Sequence, residues 1–243
     1  MRSSSKRAAA ALGLSLLAGC VSLDAPERQA RVTSLLAEAA VPVVVEPAAT
    51  LAFVTVGDAL TFSPGYERGE ALRARVGLPS PTLGFAQAFV AALRAQPRFA
   101  STAFAVLEPD AAREVLAARG DAPVFFASTG TWRLYYDLSL HRYTLSVWLQ
   151  LHVVPAAQVA AGRGRLATPE RLWGASCTFR GPATPQALEA WEAEDGALLQ
   201  RMLREAQQAC GARAAARLAA FLDRGEEQGA FDFGDIEAAP EGR

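Results

Sequence analysis

The sharpest pattern in the chain is the strict alternation from Tyr143 to Val154. Leu145, Val147, Leu149, Leu151 and Val153 are apolar, and Thr144, Ser146, Trp148, Gln150 and His152 lie between them. Period two over that length predicts a strand with one covered and one wetter face, the habit of antiparallel sheets. Val124–Leu134 and Arg171–Phe179 read as strands on the same grounds. Upstream the pattern differs. A strand is expected at Thr50–Val56, stopped by Gly57 and Asp58. A helix follows, capped by Thr82 and running to about Ala95, with Phe85, Phe89, Val90 and Leu93 on one face. A strand at Thr102–Leu107 precedes a helix at Pro109–Arg119, whose proline sits where a missing N–H does no harm. Strand, helix, strand, helix is the signature of crossovers that lay strands parallel. The expected fold is therefore α/β: a mixed five-stranded sheet of two crossover β-α units and an antiparallel three-stranded meander, with helices packed mainly on one face.

The flanks carry weaker signals. Asp24 to Ala40 suits a short helix, and Pro42 and Pro47 bracket an extended Val43-Val44-Val45, so residues 20–49 read as a tether. Ala59 to Ser80 is rich in glycine, proline and arginine, with a turn at Pro64-Gly65, and reads as an irregular stretch. Thr184-Pro185 opens a helical region to about Leu222, interrupted near Gly196, with Leu199, Leu203, Ala206 and Cys210 along one stripe. Residues 224–243 are acidic and glycine-rich, with Phe231 and Phe233 their large apolar groups, and read as a disordered tail. One domain, 50–223, is expected between tether and tail.

At the N-terminus Arg2, Lys6 and Arg7 precede an apolar stretch, Ala8 to Ala18, the length of a secretory signal core and too short to span a bilayer. It ends in Leu17-Ala18-Gly19-Cys20, which resembles the lipobox of bacterial lipoproteins. That resemblance implies removal of residues 1–19 as a signal peptide and lipidation of Cys20, with a diacylglyceryl group and an N-acyl chain. More than one chain holds a protein stably on a membrane. Val21 stands where that family often has the Asp of inner-membrane retention, which implies the periplasmic face of the outer membrane.

Three of the 24 basic residues leave with the signal, so the mature chain has a formal charge of −4, which argues against nucleic acid as a partner. Lys6 is the only lysine, which excludes Schiff-base, P-loop and Ser-Lys chemistry in the mature protein. With His141 and His152 alone, a histidine-rich metal site is excluded, and no cofactor motif is present. Cys177 and Cys210 form an even pair. Outside the cytoplasm that points to a disulfide, here pinning the last helix onto the strand that carries Trp173, Ala175 and Phe179.

The order of elements over about residues 50–222 is similar to a family of envelope proteins. It includes the curli-secretion lipoprotein, the lipoprotein activators of penicillin-binding proteins and the N-terminal domain of the Tol-system translocation protein. Thr129-Gly130-Thr131 matches a Thr-Gly-hydrophobic signature of its third strand, and Leu172-Trp173-Gly174 a sequence near its last. The Asp and Thr-Gly usual between the last two strands are absent, replaced by Pro155 to Pro169. Neither Asp58–Ser80 nor Tyr135–Arg142 has the alternating apolar length of a membrane hairpin, which argues against a secretion pore.

No catalytic site is legible. Gly162-Arg163-Gly164-Arg165 has arginines suited to phosphate or carboxylate, but lacks GxGxxG spacing and reads as a solvated loop. His141 beside Asp137 reads as a surface histidine, with no GxSxG elbow anywhere. Glu189, Glu192, Glu194 and Asp195 read as a solvated helix start. Trp148, Gln150 and His152, on the polar face of one strand, are the candidates for partner contact, the alternative being that Trp148 pairs with Trp132 across strands or lies beneath the tether. The leading expectation is a non-enzymatic lipoprotein that binds another envelope protein. The alternatives are a periplasmic hydrolase with a dispersed site and a subunit of a secretion or surface-organelle assembly.

Overall fold

Strand β1, Val41–Val45, is buried at all five positions and lies inside the sheet. A computed structural model describes residues 23–47, 49–55, 57, 65–137, 142–164, 170–225 and 235–237. β1 pairs in parallel with β3 (Phe104–Leu107) on one side and with β4 (Pro123–Asp137) on the other. β4 then pairs antiparallel with β5 (Arg142–Pro155), and β5 with β6 (Trp173–Gln186). Two short strands complete the seven-stranded sheet. β2 (Ala52–Val54) lies parallel to the far half of β4, and β7 (Asp235–Glu237) parallel to β6.

The helices are α1 (Ala25–Leu36), α2 (Tyr66–Arg75), α3 (Pro81–Arg94), α4 (Pro109–Arg119), α5 (Ala156–Ala160), α6 (Leu188–Glu192) and α7 (Ala197–Arg224). Most cover one face of the sheet. Phe85 and Phe89 of α3 and Leu199, Leu203 and Phe221 of α7 meet Phe125, Trp132, Leu149, Trp173 and Phe179 in the main core. Phe89 packs on Phe125 at 5.5 Å between ring centres, and Phe125 meets Trp173 edge-on at 6.4 Å. The opposite face has a smaller core, where α4 and α5 cover Val44, Val124, Phe126 and Val154 with Ala112, Leu116 and Ala156. The expected mixed α/β architecture, with helices mainly on one face, is the one observed.

Several boundaries differ from expectation, each for a local reason. The first sheet strand is Val41–Val45, in the segment read as tether. Its run is continuous because helices cover both faces there, a pattern that alternation-based reading misses. Pro42 fits because β1 pairs with β4 only from Val43 onward, leaving that end of the strand with one neighbour. Thr50–Val56 contributes just the three residues of β2. Part of the supposed irregular stretch is α2. Ser80, not Thr82, caps α3, accepting from the Leu83 N–H, while buried Thr82 meets the Thr129 hydroxyl at 2.6 Å. β6 continues through Thr184-Pro185 to Gln186, so the last helix begins later, after Glu194, Asp195 and Gly196 turn left-handed at φ 51°, 53° and 74°. Within the tail, Asp235–Glu237 is a strand; the tail's Phe231 and Phe233 lie outside the described residues.

Cys177 of β6 and Cys210 of α7 are joined by a disulfide, both buried, with Cα atoms 5.6 Å apart. At the other end of the sheet Arg119 of α4 makes a bidentate pair with Glu38, at 2.8 and 2.6 Å, and donates to the Pro123 carbonyl at 2.8 Å, tying the entry to β1 to the entry to β4. Closing a loop of about 34 residues is worth about 3–4 kcal/mol in the chain-entropy model. Cys177→Ala/Cys210→Ala is therefore expected to lose stability of that order in urea unfolding. The intact protein should show no free thiol at either position by mass analysis without reductant; finding both free would contradict the pairing.

Candidate functional site

The second sheet face divides into two parts. At the β1 end α4 and α5 cover it in the smaller core, which includes no residue of β6; further along the strands the row Ser128, Gln150, Ser176 crosses β4, β5 and β6 in direct register. Ser128 and Ser176 are buried, and among the described residues their hydroxyls have no hydrogen-bond partner. A buried polar group left so costs about 1–3 kcal/mol, which marks this row as an unusual place in the sheet. One register step along β5, Trp148 is half-buried and faces the same side.

A β-bulge sets this arrangement. Pairing shifts between Thr129 and Thr131, so Phe125, Ala127 and Thr129 face the main core before the bulge and Trp132 and Leu134 after it. Trp132 and Trp148 thus lie on opposite faces and do not pair; Trp132 instead donates to the Ala49 carbonyl at 2.6 Å. The Trp148 ring occupies the space a Cβ on Gly130 would need, so the bulge residue must be glycine for the ring to lie flat against β4.

Where α4 and α5 cover the face they leave an apolar cleft of about 310 Å³, lined by Val44, Phe126, Ala112, Leu116, Val159 and the loop residues Gly162 and Gly164, with Glu46, Pro47 and Arg113 also in its lining. Its size is at the lower end of ligand pockets. Its place in the topology is distinctive. The connection leaving β1 crosses the main-core face through α3, while the one leaving β3 crosses the second face through α4, and the cleft opens beyond the carboxyl ends of both strands. Such switch points are where open α/β sheets form crevices.

His152 secures the cleft wall. Its Nδ1 lies 3.2 Å from the Gly164 carbonyl, which can only accept, so Nδ1 carries the proton and donates. Burial pushes the imidazole down to about 4 from its ordinary 6.5, Arg171 adds to the effect, and the bond to Gly164 partly offsets it. The ring is neutral at neutral pH. Gly164 rests against the Phe126 ring, with no room for a side chain between.

Of the residues singled out in the sequence, Trp148, Gln150 and His152 do share one face, but Gln150 and His152 are buried, and of the three Trp148 keeps a half-open surface. The Gly162–Gly164 loop is part of the cleft wall rather than wholly solvated, with Gly164 buried and Arg163 exposed. Glu192 pairs with Arg75 at 2.8 Å; Glu189, Glu194 and Asp195 are exposed. Cys20, His141 and Arg165 lie outside the described residues, as does the side chain of Asp137. Among the described residues no three His, Cys, Asp or Glu side chains converge as metal ligands, and no helix is long and apolar enough to cross a membrane. The cleft was missed in sequence; its traces there were the unbroken Val43–Val45 run and the paired glycines of the loop. No family model, curated protein or solved structure matches this chain.

Two outcomes follow. Because the unfolded chain takes up a proton on this histidine near pH 6.5 and the folded chain only near 4, stability is full above 6.5 and falls as pH drops through that window, by up to about 3 kcal/mol. His152→Gln, which keeps a donor for Gly164 and does not titrate, should flatten that part of the stability–pH curve. Gly130→Ala should cost about 1–3 kcal/mol and shift the Trp148 fluorescence as the ring is displaced; an unchanged midpoint and spectrum would contradict the close contact.

Proposed function

We propose that this protein is a lipid-anchored binding module of the bacterial outer membrane, held by Cys20 on the periplasmic face after loss of residues 1–19, that receives another envelope protein on the second face of its sheet. One observation carries the reading. On β4, β5 and β6 this face bears half-buried Trp148 and the buried Ser128–Gln150–Ser176 row, whose two serine hydroxyls find no partner among the described residues, while α3 and α7 pack on the main-core face. A half-buried tryptophan on the same sheet face as an apolar cleft has the make-up of an interface hot spot, where an aromatic anchor supplies much of the affinity. The Leu17-Ala18-Gly19-Cys20 sequence supports the anchor, and the Cys177–Cys210 bridge supports a compartment outside the reducing cytoplasm.

The reading is tested by crosslinking in living cells, followed by identification of captured proteins. The wild type should give discrete adducts and Trp148→Ala should lose at least one of them, with the protein's own abundance unchanged. Cys20→Ser should leave an unprocessed or soluble product without acyl chains. Adducts unaffected by Trp148→Ala would remove the proposed face, and unchanged membrane fractionation of Cys20→Ser would remove the anchor.

A further inference from the structure

The outer edge of β6 is covered in an unusual way. On its inner side β6 is paired with β5 from Trp173 to Gly181 and, after a register shift, again at Gln186. On its outer side the paired stretch is Thr178–Arg180, against β7, and the pairing is parallel although β6 runs antiparallel to β5. Two residues before that stretch the Ser176 carbonyl accepts from Arg217 of α7, at 3.2 Å. A row of backbone donors and acceptors on a sheet edge is a template for any extended segment that reaches it. Here the segment is the chain's own, three residues long, from a part of the sequence otherwise acidic.

The occupant shows what the edge accepts. The register sets Asp235 level with Thr178, Ile236 level with buried Phe179, and Glu237 level with exposed Arg180. The backbone of a sequence with an apolar residue between two acids is thus in register with Thr178, Phe179 and Arg180. Three residues of parallel ladder are a marginal pairing. They gain from tethering, since a strand joined to α7 through so short a length of chain competes as if present at a concentration on the order of millimolar.

We propose that the outer edge of β6 is a strand-addition site for an extended segment of a partner protein with alternating acidic and apolar residues, and that Asp235–Glu237 holds the edge until such a segment replaces it. Main-chain hydrogen bonds supply the affinity, and Thr178, Phe179 and Arg180 the selectivity. Thr178 is also the register partner of Trp148, so a segment added here extends the second face one strand beyond the strand that pairs with the tryptophan's. The inference deepens the binding-module reading and depends on it for its biological meaning, but the edge itself is testable without any envelope partner.

The probe is a fluorescent synthetic peptide of residues 229–240, read by anisotropy against the full mature chain, a chain ending at Gly225, and a full chain carrying Ile236→Pro. Proline removes the N–H and disrupts the pairing of β7 without shortening the protein. Both altered chains should bind the peptide saturably, about tenfold or more tightly than the full chain, in which the edge is occupied. A peptide with Ile236→Pro should bind neither, and one with Asp235→Lys and Glu237→Lys should bind at least several-fold more weakly. The proposal is overturned if the Ile236→Pro chain, folded by circular dichroism and with its disulfide intact, binds no peptide. It is equally overturned if all three chains bind alike, or if the chain ending at Gly225 dimerises and the peptide does not reverse it, which would assign the edge to a second copy. Loss of every crosslink in cells with peptide binding preserved would count against the envelope reading and leave the edge standing.

Discussion

A strand with helices against both faces is apolar at every position, whereas one with helices packed mainly on a single face can alternate apolar and polar residues. This contrast between β1 and β5 organises the molecule. Val41–Val45 is buried throughout because α3 lies on one side of the sheet there and α4 on the other. In β5, Leu145, Val147, Leu149, Leu151 and Val153 all face the main core, and the residues between them face the second side, where Thr144, Ser146, Gln150 and His152 are buried as well and Trp148 is half-buried. The crossover that places α4 over β1 also creates the cleft, since the connections from β1 and β3 depart on opposite faces and leave a gap past the strand ends. The difference between the two faces thus follows from most of the helices lying on one side of the sheet.

What keeps the second face in place is a set of local fixings around it. The Arg119–Glu38 pair joins the starts of β1 and β4, His152 holds the Gly164 wall of the cleft, the bulge at Gly130 seats Trp148, and the Cys177–Cys210 bridge fastens α7 under β6. The bridge matters most for the far edge, where α7 supplies Arg217 to the Ser176 carbonyl beside the strand-addition stretch. Each fixing joins segments distant in sequence, and three of the four act on or beside the second face.

Much of the sheet was legible because period two and period 3.6 survive wherever the two sides of an element differ in polarity. β5, the Pro109–Arg119 helix and the stripe of α7 read directly, and so did the pairing of two cysteines whose flanking residues faced the same core. β1 was not legible, since an apolar run between prolines looks the same in a tether as in a doubly covered strand; only its partners β3 and β4 distinguish the two. The Thr129-Gly130-Thr131 bulge concealed a change of phase within β4, and three residues of β7 are too few for any periodicity. For the candidate site, sequence placed Trp148, Gln150 and His152 together on one face, but depth was beyond it: whether a polar residue on a strand is wet depends on the loop above, and for His152 that loop is Gly162–Gly164, ten residues on.

The central claim is that the second sheet face near β6 is the receiving surface and the helical face is not. Hydroxyl-radical footprinting of the protein in intact envelopes, compared with the purified mature chain, tests it directly. The account predicts reduced labelling of Trp148 and of the Thr178–Arg180 peptide in the envelope, with Arg204 and Gln208 on α7 labelled equally in both. Protection confined to α3 and α7, with Trp148 unchanged, would contradict it.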